Sequence, residues 1–211
     1  MYPKNQLVRS ITSSESTDLL SSLVDTGIDA AVESGALDGV PIVGLLFGAV
    51  RAGRNIREGF LLHKLVHFLR ETSALTPEER LSFQRQFQND EKAEEFGGLV
   101  VILLERADDL AKPVILGRLL VAYAKGMFSQ DKFLRLARMV DRSFTDDLQL
   151  LKDFSSGLMT NKEVQAQSLS SLGFLYEIGS DAGEYGNPNS GGNLYQISPY
   201  GELLVQYGLD S

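Results

Sequence analysis

Two histidines, His63 and His67, stand four residues apart in the run His63-Lys64-Leu65-Val66-His67. On a helix that spacing puts both imidazoles on one face, close enough to share a metal ion. The run lacks the glutamate that follows the first histidine in the zinc-protease helix motif and acts there as general base. Lys64 and Arg70 would repel a cation, and Glu71 is the one nearby carboxylate available as a third ligand. No metal is expected, and the histidines read as surface or partner-facing groups. Nucleophilic chemistry is equally poorly supplied. The chain has no cysteine, which removes thiolate zinc sites, disulfides and cysteine nucleophiles together and suits a reducing compartment. Neither a Gly-x-Ser-x-Gly elbow nor a Gly-x-x-x-x-Gly-Lys phosphate loop occurs. Four acid pairs remain: Glu78-Glu79, Glu94-Glu95, Asp108-Asp109 and Asp146-Asp147. Most fall at helix starts, where the dipole accounts for them. No catalytic residue and no cofactor is expected, and a metal-dependent hydrolase is the third-ranked reading.

Charge is the stronger signal. Between positions 51 and 70 stand five cations, Arg51, Arg54, Arg57, Lys64 and Arg70, against one acid, Glu58, in a chain of net charge −8. Segregation of this kind can hold an anion, a phosphate backbone, an acidic partner or a lipid headgroup surface. The same cations could instead pair internally with the acid-rich stretches Asp90 to Glu95 or Asp108-Asp109. A helical wheel places Leu61, Leu62, Leu65, Val66, Phe68 and Leu69 on one arc. Arg57, His63, Lys64, His67 and Arg70 fall on the other, with Phe60 among them. If the leucines are buried, the opposite arc must face outward. The candidate partner- or anion-binding face is therefore Arg51, Arg54, Arg57, Phe60, His63, Lys64, His67 and Arg70.

The elements that would position this face are helices. Apolar spacing predicts an amphipathic helix over Ser14 to Ser34, opened by the capping box Thr12 to Glu15 and closed by Gly35. Asp38-Gly39-Val40-Pro41 starts a short, nearly all-apolar helix to Ala52, in which Gly44, Gly48 and Ala52 form a small-residue stripe suited to close helix approach. The basic helix follows, capped by Asn55 and running to about Glu71. Thr76-Pro77-Glu78-Glu79 is the best single helix start in the chain. Asp90 to Asp109 reads as a central helix, and Pro113 separates it from the next, which Gly126 ends. Two more helices are capped by Ser129 and Thr145. A core of this kind should bury Leu103 and Leu120.

The last quarter changes character. A capping box at Thr160 to Glu163 opens a helix that Gly173 closes. Phe174 to Ile178 and Asn193 to Ile197 are strand candidates joined by the Gly/Asn/Ser-rich stretch 179–192, and Ser198-Pro199 opens a final helix. This is the order of a winged-helix wing with its flanks. From Met159 to Ser211 the only cation is Lys162, against six acids, so DNA is disfavoured as a partner. Five of the seven tyrosines lie here, Tyr176, Tyr185, Tyr195, Tyr200 and Tyr207, a composition favoured at interfaces and also compatible with core packing.

The pattern Asp147-Leu148, Leu169, Leu172-Gly173, Tyr195, Ile197-Ser198, Gly201 and Leu204 resembles the tail of the bacterial abortive-infection alpha family, over roughly the last 65 residues. The Gly39-Val40-Pro41 entry, with Phe60 and the basic helix after it, also resembles small uncharacterised bacterial proteins. It departs from the proline-rich entry of the abortive-infection family proper. The resemblance implies a role in defence against phage and brings no catalytic residues with it.

Together these readings predict a mainly α protein, with a helical bundle over 1–156 and a winged-helix-like helix–hairpin–helix unit over 157–211. Its longest apolar run, Val40 to Val50, is about half the ~20 residues that a membrane-crossing helix needs. No apolar segment follows Lys4 and Arg9 as a secretory signal would require. The expectation is a cytoplasmic, non-enzymatic protein that binds a macromolecule, foremost a protein, within a bacterial stress or phage-defence system. A membrane surface engaged by the 40–70 segment is the alternative.

Overall fold

The computed structural model describes residues 5–22, 30–31, 34–51, 56–157, 163–183 and 191–209, and side chains within them apart from residues 5, 49–57 and 163. The chain divides into two units, Met1–Phe133 and Leu134–Ser211. The division falls within a helix and earlier than the 156/157 boundary that composition suggests. The protein is mainly helical, with a two-stranded antiparallel hairpin near the C-terminus, as the sequence predicts.

In the first unit the helices are α1 (Asn5–Thr12), α2 (Ser14–Ser21), α3 (Pro41–Arg51), α4 (Ile56–Thr72), α5 (Pro77–Arg85), α6 (Asp90–Arg106) and α7 (Ala111–Ala124). Helix α8 (Gln130–Asp141) carries the division between the units. The hub is α4, which packs against α1, α2, α3, α6 and α7. Its apolar residues explain why. Leu61, Leu62, Leu65, Val66, Phe68 and Leu69 are all buried, on the arc the wheel assigns to them. Helix α6, read from the sequence as central, packs on α1 and α4 and exposes Ile102. Leu103 and Leu120 are both buried, as expected. The crossing of α4 and α7 is backbone-close at Gly117, where a Cβ would lie 2.6 Å from the Phe68 carbonyl oxygen and 2.8 Å from Glu71 Cβ. The first unit also holds a cluster of rings: Phe83, Phe87, Phe96, Tyr123 and Phe133 meet with centroids 5.2–6.0 Å apart. Most of these contacts are edge-on or tilted, the geometry that ring quadrupoles favour.

Several boundaries move for identifiable reasons. Residues 5–12 form a helix that the sequence reading passed over; Leu7, Val8 and Ile11 give it one buried face. The cap that follows is Ser13, whose hydroxyl accepts from Ser16 N–H, so the predicted 14–34 helix begins afresh there; α2 ends at Ser21 and much of the remainder lies outside the described residues. Pro113 does not open its helix. Asp109 Oδ1 accepts from the N–H groups of Ala111 and Lys112, which starts α7 two residues earlier and leaves proline in the first turn, where no N–H is needed. Of the small-residue stripe of α3, Ala52 lies outside the described residues, and neither glycine has a helix crossing as its nearest approach. A Cβ on Gly44 would meet the Asp38 carbonyl of the preceding turn at 2.2 Å, and one on Gly48 would meet nothing. Ile42, Val43, Leu46 and Phe47 of α3 are buried. The Thr76 capping box forms in full, with reciprocal bonds between Thr76 and Glu79. Among the described residues no helix is long and apolar enough to cross a membrane.

The second unit contains α9 (Thr145–Gln149), α10 (Leu151–Ser155), α11 (Glu163–Ser171), β1 (Leu175–Asp181), β2 (Gly192–Ile197) and α12 (Pro199–Tyr207). Thr145 is the first residue of α9 and not its cap, and the single helix expected there is two short ones. Strand β1 pairs antiparallel with β2 from Leu175–Ile197 to Asp181–Gly192, with a bulge between Glu177 and Gly179. Gly173 closes α11 at φ +90°, a conformation that suits glycine. Ser198 then ties the unit together. Its hydroxyl caps α12 by accepting from Gly201 N–H and donates to the Gly173 carbonyl at 2.7 Å, while its N–H donates to the Phe174 carbonyl. Gly201 fits because any Cβ there would lie 2.4 Å from the Phe174 oxygen. Of the tyrosines, Tyr195 is buried, Tyr176 is exposed, and the Tyr200 ring lies 5.2 Å from the Arg135 guanidinium; Tyr185 lies outside the described residues.

Candidate functional site

The outer arc of α4 is where sequence charge and helix geometry coincide. Phe60, Lys64, His67 and Glu71 recur at four, three and four residues and form one stripe, with His63 and Arg70 along its flank. Phe60 is 65% exposed and Arg70 is exposed. His63, Lys64 and His67 are half-buried. Arg54 lies outside the described residues; Arg51 and Arg57 belong to α3 and α4, but their side chains are not described. The structure thus brings Phe60, His63, Lys64, His67 and Arg70 to one arc and leaves the three remaining arginines unplaced.

Lys64 departs from the expectation of a solvent-facing cation. Its Nζ donates to the Glu105 carbonyl at 3.0 Å, in the last turn of α6. Terminal carbonyls of a helix lack intrahelical donors and carry the negative end of the dipole, so an ammonium there acts as a C-terminal cap. Glu71 is likewise engaged: its Oε2 accepts from Arg118 Nε of α7 at 3.0 Å. That ion pair sits next to the Gly117 crossing and brings the histidines' one sequence-adjacent carboxylate to another element. Among the described residues no group of three or more histidines and acids could hold a metal ion. Glu58, the lone acid of the basic stretch, has Oε2 buried without a hydrogen-bond partner, in the first turn of α4 where the dipole is positive.

A second charged feature lies at the start of α7. Lys112 is only 2% exposed, and its ammonium meets Asp108 Oδ1 at 2.7 Å. That hydrogen bond holds the Asp108 carboxyl below the usual range against a smaller opposing effect of burial. Sequence reading saw Asp108-Asp109 as dipole-directed acids, which Asp109 is, but missed the buried lysine. The signal was the four-residue spacing from Asp108 to Lys112 at a helix start.

Comparison with known protein-family models, curated proteins and solved structures gives no match.

Proposed function

We infer that the protein is a non-enzymatic binding module, cytoplasmic in keeping with its lack of cysteine, whose partner is another protein docking on the outer arc of α4. The observation that supports this is Phe60. It is 65% exposed on a helix whose described apolar residues are otherwise buried. An exposed aromatic ring, two half-buried imidazoles and a cation, Arg70, about 15 Å further along the same helix have the composition of an interface anchor with a polar rim. Placement of the protein in bacterial phage defence is part of the proposal and rests on the resemblance of residues 147–204 alone.

The test is affinity capture from the native host with the wild-type chain, Phe60→Ala, Arg70→Glu and, as a control, Leu81→Ala on α5, which is also exposed. Phe60→Ala and Arg70→Glu should keep the wild-type melting temperature, because neither side chain is buried. Both should lose a partner that the Leu81 variant retains. Equal capture by all four proteins would remove α4 as the docking face.

A further inference from the structure

Among the described residues, the hairpin of the second unit leaves most of one strand exposed. In β1 only Leu175 is buried, and the six residues after it are exposed. In β2 every residue except Gln196 is buried or half-buried, and the strand packs against α10, α11 and α12, of which α11 also meets β1. In an antiparallel pair, alternate residues turn their N–H and C=O groups away from the partner strand. The outer edge of β1 therefore offers a row of backbone donors and acceptors, the template to which extended chains add. Two large apolar side chains mark it: Tyr176 is 54% exposed and Ile178, at the bulge, 52%.

Charge decides what fits. From Glu163 to Ser211 the chain has six acids and no lysine, arginine or histidine, and two of those acids, Glu177 and Asp181, are in β1 itself. We propose that the β1 edge is a docking site for an extended, lysine- or arginine-bearing segment of a partner protein, added as a third strand. Main-chain bonds would supply affinity, cross-strand contacts with Tyr176 and Ile178 would favour β-branched residues, and the acids would select for cations. A second copy of β1 suits the edge poorly, since its own Glu177 and Asp181 would face like charges. A nucleic acid is opposed by the same sign. The site belongs to the second unit, and its proposal does not rest on the α4 arc.

The experiment uses the full chain and a fluorescent peptide of about ten residues alternating lysine with valine and threonine, a length matched to ordinary strands. Two further peptides serve as comparisons, one with glutamate for lysine and one with alternate backbone amides N-methylated. The lysine peptide should bind at low salt and weaken as salt rises. The N-methylated and glutamate peptides should each bind at least about tenfold more weakly. Glu177→Lys and Tyr176→Ser, both at exposed positions, should weaken the lysine peptide while keeping the wild-type melting temperature. The peptide comparison is made on the wild-type chain, so it stands even if a variant misfolds. Equal binding of the N-methylated peptide would reduce the edge to a diffuse acidic surface and end the proposal. So would absence of binding at millimolar peptide, or self-association that Tyr176→Ser abolishes.

Discussion

Lys64 separates the two ways in which a cation on α4 can act. Because its ammonium caps the α6 C-terminus through the Glu105 carbonyl, Lys64→Met should lower unfolding free energy by about 1 kcal/mol, the usual net worth of one such bond. Lys64→Glu should cost more, since a carboxylate there faces the negative end of the α6 dipole. Arg70→Glu, at an exposed position, should stay within about 0.5 kcal/mol. Urea midpoints of the three variants check this, and a neutral Lys64→Glu would return Lys64 to the exposed face. Tyr123 offers a pH-dependent counterpart. Burial, aided by the nearby negative charge of Asp131, pushes its hydroxyl up to about 12, while Oη donates to Gln130 Oε1 at 3.2 Å. The folded value lies above the unfolded one, so the neutral ring stabilises the fold fully below about pH 10. That contribution is lost as pH rises from about 10 towards 12 and amounts to roughly 2–3 kcal/mol. Urea unfolding across this range should show the decline in the wild type and a shallower one in Tyr123→Phe.

Among the elements, the α4–α7 crossing is the least tolerant. Gly117→Ala puts a methyl group within 2.6 Å of the Phe68 carbonyl, so the two helices must separate. Overpacking of this kind costs about 1–3 kcal/mol. Gly48→Ala on α3, with nothing within 4 Å of the new methyl group, should stabilise by up to about 1 kcal/mol through helix propensity. Melting temperatures of the two variants moving in the same direction would refute this assignment. The pair also shows what was legible beforehand. The buried arc of α4, the Thr76 capping box, the closing glycines Gly35, Gly126 and Gly173, and the hairpin were all readable, because periodicity, caps and left-handed turns are local. Gly44 and Gly48 looked like the close contact and Gly117 did not, because a small residue reveals nothing about which backbone will cross it. For the same reason the outer arc of α4 could be drawn on a wheel, but the use of Lys64 by α6 and of Glu71 by Arg118 could not: both contacts span more than forty residues of sequence. The β1 edge was visible only as a strand candidate; its exposure depends on which strand the flanking helices cover, and α10 and α12 pack on β2.

At the scale of the whole chain, charge sets the range of partners. A net −8, with no cation from Glu163 onward, leaves the wing-like hairpin unable to neutralise phosphates. The 211-residue chain should show no salt-sensitive binding of duplex DNA in gel-shift measurements at low ionic strength. A complex that dissolves as salt rises would place a phosphate-binding surface on the protein after all. The ring cluster around Tyr123 has a practical consequence of a different kind. The chain has no tryptophan, and its tyrosines divide unevenly, with Tyr2 and Tyr123 in the first unit and five in the second. Tyr123 stacks on Phe133 at 5.6 Å and 19° and touches Phe83 and Phe96 as well. It is therefore the one described tyrosine through which the first unit contributes to near-ultraviolet dichroism, while the buried Tyr195 and Tyr200 beside Arg135 contribute from the second. Tyr123→Phe removes the first unit's share of that signal, so comparing the unfolding curves of wild type and variant shows whether the two units unfold in one step or two.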